Sequence, residues 1–310
     1  MAKKTIALLH PGEMGAAIGA CLAKRGLRVV WASAGRGAAT RSRAKAAGLE
    51  DLGSLERALG AAEIVLSVCP PHGALALARE VARHRFRGLY VDVNAISPAT
   101  TREAGRIVEK AGATFVDGGI IGPPPVQGAS SRLYLSGAWA KETAALFVGT
   151  NMEAIALDGH VGAASALKAC YAGWTKGATA LLASIRALAE HEGVDAALLA
   201  EWKHSQPELQ KRSEVVTVQA RKAWRWIGEM EEIAASFEAA GLPGGFHLAA
   251  AKIYRKLEGF KDAVSPPALS KVTAAIRRVA RRRSAASGED RRGNTRGGQD
   301  LSKARFKFGA

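Results

Sequence analysis

Short apolar runs alternate with longer stretches of helical periodicity through the first half of the chain. Seven of these runs predict β-strands, at residues 5–9, 28–32, 64–68, 89–93, 114–116, 132–135 and 154–157. Stretches of helical length, such as residues 14–25 and 98–111, separate the early runs. This alternation predicts an α/β fold with a doubly wound, mostly parallel sheet.

The second half of the chain has no strand pattern. Helical periodicity extends over residues 162–192, and Gly193 is placed to end this helix. Later helices are interrupted at Pro207, at residues 241–245 and at residues 266–267. We therefore predict a sheet domain, an all-helical domain and a basic tail, at residues 1–160, 161–275 and 276–310.

The composition is typical of a globular protein. The chain has 310 residues, of which 48% are apolar, so it can bury a sizeable core. No stretch approaches the roughly 20 uninterrupted apolar residues of a membrane helix, and the apolar run before His10 is too short for a signal peptide. The three cysteines are far apart and in no metal-binding spacing. We expect reduced thiols, no metal site, no membrane partner and a cytoplasmic location.

About half of the net charge of +16 lies after residue 276. This segment is rich in Gly, Ser and Arg and poor in apolar residues, so we expect it to be disordered from about Ser284. Its arginines could neutralise phosphates, and Phe306 and Phe308 could stack on bases, which would suit a nucleic-acid partner. A solvated appendage is the commoner explanation for such a charge run, and we prefer it.

A glycine motif follows the first predicted strand, at residues 10–15. Gly12 and Gly15 match the second and third glycines of a dinucleotide-binding fingerprint, and together with Glu13 and Met14 between them they are candidate cofactor contacts. His10 replaces the first glycine, which normally permits the tight turn. Because the motif follows a strand and opens a helix whose N-terminus favours phosphate, we predict a Rossmann domain that binds a dinucleotide.

The charge around the second predicted strand indicates which dinucleotide binds. An NAD site usually has an acidic residue near the end of that strand, which holds the ribose hydroxyls. Residues 14–49 contain no carboxylate, and Ser33 and Arg36 stand at the expected place. A guanidinium group suits the 2′-phosphate of NADP, so we predict NADP in preference to NAD. Arg41 and Arg43 are interpreted as the exposed face of the next helix.

Two further loops follow predicted strands at the carboxyl edge of the sheet. One contains Cys69, Pro70 and Pro71, and the other starts at Asn94. Ligands of doubly wound folds lie against such loops, so these four residues are candidate cofactor contacts. Cys69 is interpreted as a packing or backbone contact rather than a nucleophile, because no histidine partner is implied beside it.

Several motifs occur in the order and at the spacing of the β-hydroxyacid dehydrogenases. They are residues 12–15, 70–71, 91–98 and 115–119, together with Gly162 and Lys168. The chain resembles this superfamily, which also contains 6-phosphogluconate dehydrogenase and the imine reductases. Residues 224–240 resemble a less characterised branch with a phosphogluconate-dehydrogenase-like C-terminal domain. The resemblance implies a Rossmann domain, a helical domain, an active site in the cleft between them and a homodimer.

The resemblance places the family's catalytic lysine on Lys168. A lysine in a partly desolvated cleft can donate a proton to the alkoxide that forms when a carbonyl accepts hydride, or take the proton in the reverse direction. The family's asparagine, four residues later, is Ala172 here. Tyr171 and Thr175 share the helix face of Lys168 and are candidates to supply a hydroxyl instead. Imine reductases typically lack the lysine, so its presence favours carbonyl and alcohol chemistry.

The substrate loop also departs from the family pattern. The family has Ser-Gly-Gly where this chain has Ile121, Gly122 and Pro123, so a hydroxyl for a substrate carboxylate is missing. Ile121 itself and the backbone N–H groups of Gly119 and Gly122 are candidate substrate contacts. Glu229 is a candidate for the cleft, where a carboxylate would favour a cationic or polyhydroxy substrate, although a surface glutamate is the commoner explanation. Four bulky residues are interpreted as core or dimer contacts: Trp202, Trp224, Trp226 and His247.

We therefore predict an NADP-dependent oxidoreductase that moves a hydride between the nicotinamide and a carbonyl or secondary alcohol of a small substrate, with Lys168 as general acid/base. One alternative is an imine reductase, in which Tyr171 or a cleft carboxylate handles the proton. The other is a sensor that binds NADP without turnover and contacts nucleic acid through the basic tail.

Overall fold

A sheet of eight strands forms the first part of the protein in the computed structural model, which describes residues 4–278. The strands are β1 (Thr5–Leu9), β2 (Arg28–Trp31), β3 (Glu50–Asp51), β4 (Ile64–Ser67), β5 (Leu89–Asp92), β6 (Thr114–Ile121), β7 (Ser131–Ser136) and β8 (Met152–Ala156). Their order is β3-β2-β1-β4-β5-β6-β7-β8. All neighbours are parallel except β6 and β7, which pair antiparallel. The predicted doubly wound, mostly parallel sheet is confirmed.

Two strands differ from the prediction. Strand β3 has only two residues, both acidic and exposed, so it carries no apolar pattern. Strand β6 continues through Gly118 and Gly119, which would ordinarily indicate a loop. A Cβ at Gly119 would lie 2.6 Å from the carbonyl oxygen of Ala164, so the glycine permits a close approach between strand and helix that a side chain would prevent.

Helices cover both faces of the sheet and make up the rest of the described chain. They are α1 (Glu13–Lys24), α2 (Ala38–Ala46), α3 (Leu55–Gly60), α4 (Ala74–Arg83), α5 (Pro98–Lys110), α6 (Ala140–Ala145), α7 (Ala163–His191), α8 (Asp195–Ser205), α9 (Glu208–Gln219), α10 (Trp226–Ala239), α11 (Gly245–Lys256) and α12 (Leu269–Arg277). Short 3₁₀ helices span Pro71–Gly73, Ala220–Arg225 and Glu258–Phe260. The all-helical part opens with the 29-residue helix α7, which confirms the predicted long helix after the sheet.

Three apolar cores stabilise this arrangement. Successive residues of β1 point to opposite faces, so Leu8 belongs to one core and Ala7 to the other. A third core surrounds α7, where small residues such as Ala183 let Met230 and Tyr254 of the later helices pack closely. The burial of both sheet faces explains why the parallel strands are almost continuously apolar.

Asp117 fastens helix α7 to strand β6. It is fully buried, and its Oδ2 accepts hydrogen bonds from the backbone N–H groups of Gly162 (2.9 Å) and Ser165 (3.1 Å). Its Oδ1 accepts from the Ser165 hydroxyl at 2.6 Å. A carboxylate at a helix N-terminus satisfies free N–H groups and interacts favourably with the helix dipole. Asp117 therefore determines where α7, and with it Lys168, lies on the sheet.

Residues 1–3 and 279–310 lie outside the described residues, and with them the predicted disorder from Ser284 and the predicted nucleic-acid contact. No helix among residues 4–278 is long and apolar enough to cross a bilayer.

Candidate active site

The turn after β1 has the geometry of a dinucleotide-binding turn although it lacks the first glycine. His10 adopts a φ of 67°, the left-handed conformation that this position needs and that glycine usually supplies. The N–H of Gly12 donates to the His10 carbonyl oxygen at 2.7 Å. A Cβ at Gly15 would lie 2.6 Å from that same oxygen, so α1 packs against the turn only because residue 15 is glycine. A Cβ at Gly12 would meet nothing within 4 Å, so the backbone there is open to the cleft.

A cleft of about 400 Å³ opens at this turn. It brings together eight of the ten predicted cofactor contacts, Gly12, Glu13, Met14, Gly15, Arg36, Cys69, Pro70 and Pro71. Six other lining residues were not predicted as cofactor contacts, His10, Thr40, Arg43, Val68, Trp224 and Arg225, and the interpretation of Trp224 as a core or dimer contact is corrected by its place in the lining. Three buried nitrogen atoms of the lining, His10 Nδ1, Arg43 Nε and Trp224 Nε1, have no hydrogen-bond partner in the described part of the chain. Open backbone and unpaired polar nitrogens fit a polar ligand such as a dinucleotide.

The interpretation of Arg43 as part of the exposed face of α2 is wrong. It lines the cleft and is half-buried, whereas Arg41 is exposed as expected. Arg41 donates to the carbonyl oxygens of Arg36 (3.0 Å) and Ser33 (3.2 Å) and so stabilises the loop after β2. The two arginines are two positions apart and therefore face different directions on α2. Arg36 and Arg43 are the two arginines that line the cleft beside the loop after β2, and Arg225 is a third arginine of the lining.

Ser33 and Asn94 do not line the cleft but support its loops. Asn94 accepts from the backbone N–H of Cys69 at 2.5 Å and donates to Asp92 Oδ2 at 2.9 Å. Burial, followed by the charge of Asp92, raises the pKa of the Cys69 thiol to about 12. A thiol with this pKa stays protonated at neutral pH, which agrees with the predicted packing role of Cys69.

A buried group of two lysines and one glutamate lies where α7 packs against α10. Lys168 Nζ is 3.5 Å from Glu229 Oε1, and Lys176 Nζ pairs with Glu229 Oε2. Glu229 is only 7% exposed, so its interpretation as a surface glutamate is wrong. Burial disfavours the charged carboxylate, but Lys176 and Lys168 together outweigh burial and lower the pKa of Glu229. Burial also lowers the pKa of Lys176 to about 8, against the opposing effect of Glu229.

The sequence analysis did not predict Lys176 as a site residue, because the sequence of a helix does not show which of its sides faces the neighbouring helices. Its spacing of eight residues from Lys168 is the only signal in the sequence, and exposed lysines at that spacing are common. The Tyr254 hydroxyl donates to the Lys176 carbonyl oxygen at 2.5 Å, and Lys176 Nζ lies 5.4 Å from the centre of the Trp226 ring. Trp226 therefore belongs to the surroundings of this lysine.

The remaining predicted site residues differ in their exposure and contacts. Tyr171 is 46% exposed. The Thr175 hydroxyl donates a hydrogen bond to the Tyr171 carbonyl oxygen at 3.1 Å, so this hydroxyl is already bound to its own helix. Ile121 is buried, and Gly122 has a φ of 127°, which keeps the loop after β6 tight. Gly119 faces α7, where an added Cβ would lie 3.0 Å from the Cβ of Lys168.

A small cavity of about 10 Å³, roughly the size of one water molecule, adjoins Lys168. Its lining is Ala95, Ile96, Lys168, Ala169, Ala172, Glu229, Glu232 and Ile233. Glu232 crosses from α10 to the start of α5, where it accepts from the Ser97 N–H (2.7 Å) and the Thr100 hydroxyl (2.9 Å). A Cβ added at Gly228, beside Glu229, would lie 3.9 Å from the Cβ of Pro71 in the cleft at residues 10–15. The cavity and the cleft are therefore neighbours.

Comparison with known proteins relates the chain to oxidoreductases. The family model of a domain of unknown function, DUF1932, matches residues 189–257. The conserved protein MTH1747, of unknown function and described as structurally similar to 3-hydroxyacid dehydrogenases, is 30% identical, with a TM-score of 0.63 over 83% of this chain and 97% of its own. No curated protein matches the chain.

Two more distant structures share the fold. The 3-hydroxyisobutyrate dehydrogenase of Mycobacterium tuberculosis is 20% identical, with a TM-score of 0.68 over 89% of this chain and 100% of its own. A variant imine reductase of Myxococcus stipitatus, solved with NAD⁺, is 20% identical, with a TM-score of 0.53 over 87% of this chain and 99% of its own.

Proposed function

The chain belongs to the β-hydroxyacid dehydrogenase-like superfamily, and on this premise we propose that it is an NADP-dependent oxidoreductase acting on a carbonyl or secondary alcohol of a small substrate. The nicotinamide, when bound, supplies or accepts the hydride. The turn at residues 10–15 and the loop at residues 69–71 would hold the dinucleotide. The protein itself must then supply the proton that accompanies the hydride.

Lys168 is the group that we assign to this proton transfer. The observation that carries the assignment is its position on a small cavity next to the cleft at residues 10–15, with its Nζ 3.5 Å from Glu229 Oε1. An ammonium group there can donate to a carbonyl oxygen as hydride arrives at the carbon, which gives the alcohol. In the reverse direction the neutral amine takes the hydroxyl proton as the hydride leaves. The cavity must widen to admit a substrate, because it has room for about one water molecule.

Arg36 and Arg43 support the preference for NADP. Both line the cleft after β2, and the Nε of Arg43 has no partner within residues 4–278. Guanidinium groups bind phosphate through paired, charge-assisted hydrogen bonds. We expect Arg36→Asp to weaken NADPH binding far more than NADH binding, and equal losses for the two cofactors would refute the assignment.

A C=N reductase is the second candidate. Glu229 and Glu232 line the cavity beside Lys168 together with apolar side chains, and Ile121 stands where the family has a hydroxyl for a substrate carboxylate. Carboxylates in an apolar cavity suit a cationic group such as an iminium. Reduction of cyclic imines but not of carbonyl compounds would favour this candidate over the carbonyl and alcohol chemistry proposed above.

The test is NADPH oxidation by the purified chain across aldehydes, ketoacids, ketones and cyclic imines. We expect turnover with a carbonyl substrate, and a loss of about 10²–10⁴-fold in kcat for Lys168→Ala. Lys203→Ala is the control, because Lys203 is an exposed lysine of α8. Turnover unchanged by Lys168→Ala would refute the role of Lys168. Tight NADPH binding with no oxidation of any substrate would instead support a sensor.

A homodimer is proposed as well, through α7. Five large apolar residues on this helix are between 36% and 63% exposed, Leu167, Tyr171, Trp174, Leu181 and Leu188. Their spacings of four, three, seven and seven residues place them in one stripe of the helix. An apolar stripe of this length on a soluble protein favours a second helix as partner.

A further inference from the structure

The 3₁₀ helix Ala220–Arg225 brings the all-helical part to the mouth of the dinucleotide cleft. Trp224 and Arg225 belong to the cleft lining, although they follow Gly12 and Glu13 by more than two hundred residues. Arg225 Nη1 donates to Glu13 Oε2 at 2.8 Å, and Lys222 Nζ lies 3.5 Å from the same oxygen. The contact therefore links the dinucleotide turn directly to the helical part.

Glu13 is an unfavourable residue at this place unless a cation accompanies it. It is the first residue of α1, whose N-terminus faces the position where a dinucleotide-binding turn receives the pyrophosphate. A carboxylate there repels a pyrophosphate, whereas a guanidinium group between the two attracts both. Arg225 already contacts Glu13 through one Nη atom and has further N–H donors.

The ion pair does little for folding. The side chains of Arg225 and Glu13 are 38% and 41% exposed, and exposed pairs contribute about 0–1 kcal/mol. The Trp224 ring also contacts the arginine, since its centre lies 5.2 Å from the Arg225 guanidinium and 4.3 Å from Lys261 Nζ. The Arg225 guanidinium is therefore placed at the cleft by a contact that adds little to the stability of the fold. Since the lining also contains nitrogen atoms without a hydrogen-bond partner in the described part of the chain, this guanidinium is available to bind a ligand.

We propose that Arg225 binds the pyrophosphate of the dinucleotide and that Glu13 holds its guanidinium group over the turn. The segment Ala220–Arg225 then covers the cofactor. The inference rests on the proposed function, since it concerns the same cleft. It assigns two phosphate groups of the cofactor to different arginines: Arg225 to the central pyrophosphate, which NAD and NADP share, and Arg36 and Arg43 to the 2′-phosphate, which only NADP has.

The experiment is a titration of the full chain with NADPH and with NADH, followed by the fluorescence of the reduced nicotinamide. A hydrogen bond between charged groups is worth about 10- to 100-fold in affinity, so Arg225→Ala should weaken both cofactors by about that factor. Arg43→Ala should weaken NADPH alone. Arg225→Lys keeps the charge without the fork and should lose less affinity than Arg225→Ala. Arg255→Ala, which breaks an exposed pair with Glu231, is the matched control and should change neither affinity.

The titrations show whether Arg225 binds the pyrophosphate, the 2′-phosphate or neither. Unchanged affinity of Arg225→Ala for both cofactors would refute the inference and leave the proposed function standing. A loss for NADPH alone would move Arg225 to the 2′-phosphate and overturn the pyrophosphate assignment. Wild type that binds neither cofactor would overturn both the inference and the proposed function. If Arg225→Ala does not fold, Arg225→Gln is compared with Arg225→Lys in the same titrations, and equal affinities would count against the inference.

Discussion

Replacing Glu229 with glutamine tests whether one buried carboxylate holds two lysines in place. The side chains of Glu229, Lys168 and Lys176 are 10%, 18% and 16% exposed. The substitution keeps the shape of the side chain and removes the one carboxylate that pairs with either lysine within residues 4–278. Losing one partner of a buried ion pair typically costs about 3–5 kcal/mol, because the remaining charge is uncompensated. We expect the free energy of unfolding at pH 6 to fall by about that amount.

The loss should shrink as the pH rises. In the wild type, burial lowers the pKa of Lys176 to about 8 although Glu229 opposes this. Without the carboxylate, the pKa of Lys176 falls further below 8, while the unfolded chain keeps this proton up to about pH 10.4. Below pH 8, the folded variant then binds fewer protons than its unfolded state, whereas the folded wild type still keeps the Lys176 proton. The stability of the variant therefore rises with pH in this range, and Lys176 gives the wild type no such rise. The difference between the two proteins therefore narrows towards pH 8.

Urea unfolding followed by circular dichroism at pH 6, 7 and 8 measures both effects. Glu231→Gln is the matched control, because Glu231 lies on the same helix and forms a pair with Arg255 at 48% and 52% side-chain exposure. An exposed pair of this kind contributes at most about 1 kcal/mol. The reasoning is refuted if Glu229→Gln loses no more than Glu231→Gln at pH 6, or if its deficit widens as the pH rises.

Three further predictions concern the sheet and α7. Gly119→Ala puts a Cβ 2.6 Å from the Ala164 carbonyl oxygen, so urea unfolding should show a loss of about 1–3 kcal/mol; an unchanged midpoint would contradict the close packing. Burial raises the pKa of Asp92 to about 7, so its contribution to stability is complete below about pH 4 and is lost as the pH rises to 7. Asp92→Asn should remove this fall when thermal unfolding is measured from pH 4 to pH 7, and a fall as large as that of the wild type would contradict the role of Asp92. Trp174→Arg with Leu181→Arg should convert dimers to monomers in analytical ultracentrifugation, and a monomeric wild type would disprove the α7 interface.

Much of the cleft at residues 10–15, the candidate cofactor site, was predictable because its determinants are local in sequence. The glycines at positions 12 and 15 and the absence of carboxylates from residue 14 to residue 49 are visible without a structure. Parallel strands bring the loops after them to one edge of the sheet, so Cys69 and Pro71 could be assigned to the same cleft as the glycine turn. The conformation of His10 was not predictable, because a positive φ at a residue other than glycine depends on the surrounding packing.

The sequence by itself determined the doubly wound sheet, the long helix after it and the turn at residues 10–15, which follow from periodicity and turn residues that act over a few neighbouring positions. Its resemblance to the β-hydroxyacid dehydrogenases made Lys168 the candidate acid/base. Only the tertiary structure decided that Glu229 is buried between Lys168 and Lys176, and that Arg225 reaches Glu13. Whether a charged helix residue faces water or a partner depends on how the helix is rotated against elements far away in the chain, and that rotation is set by packing of the whole core.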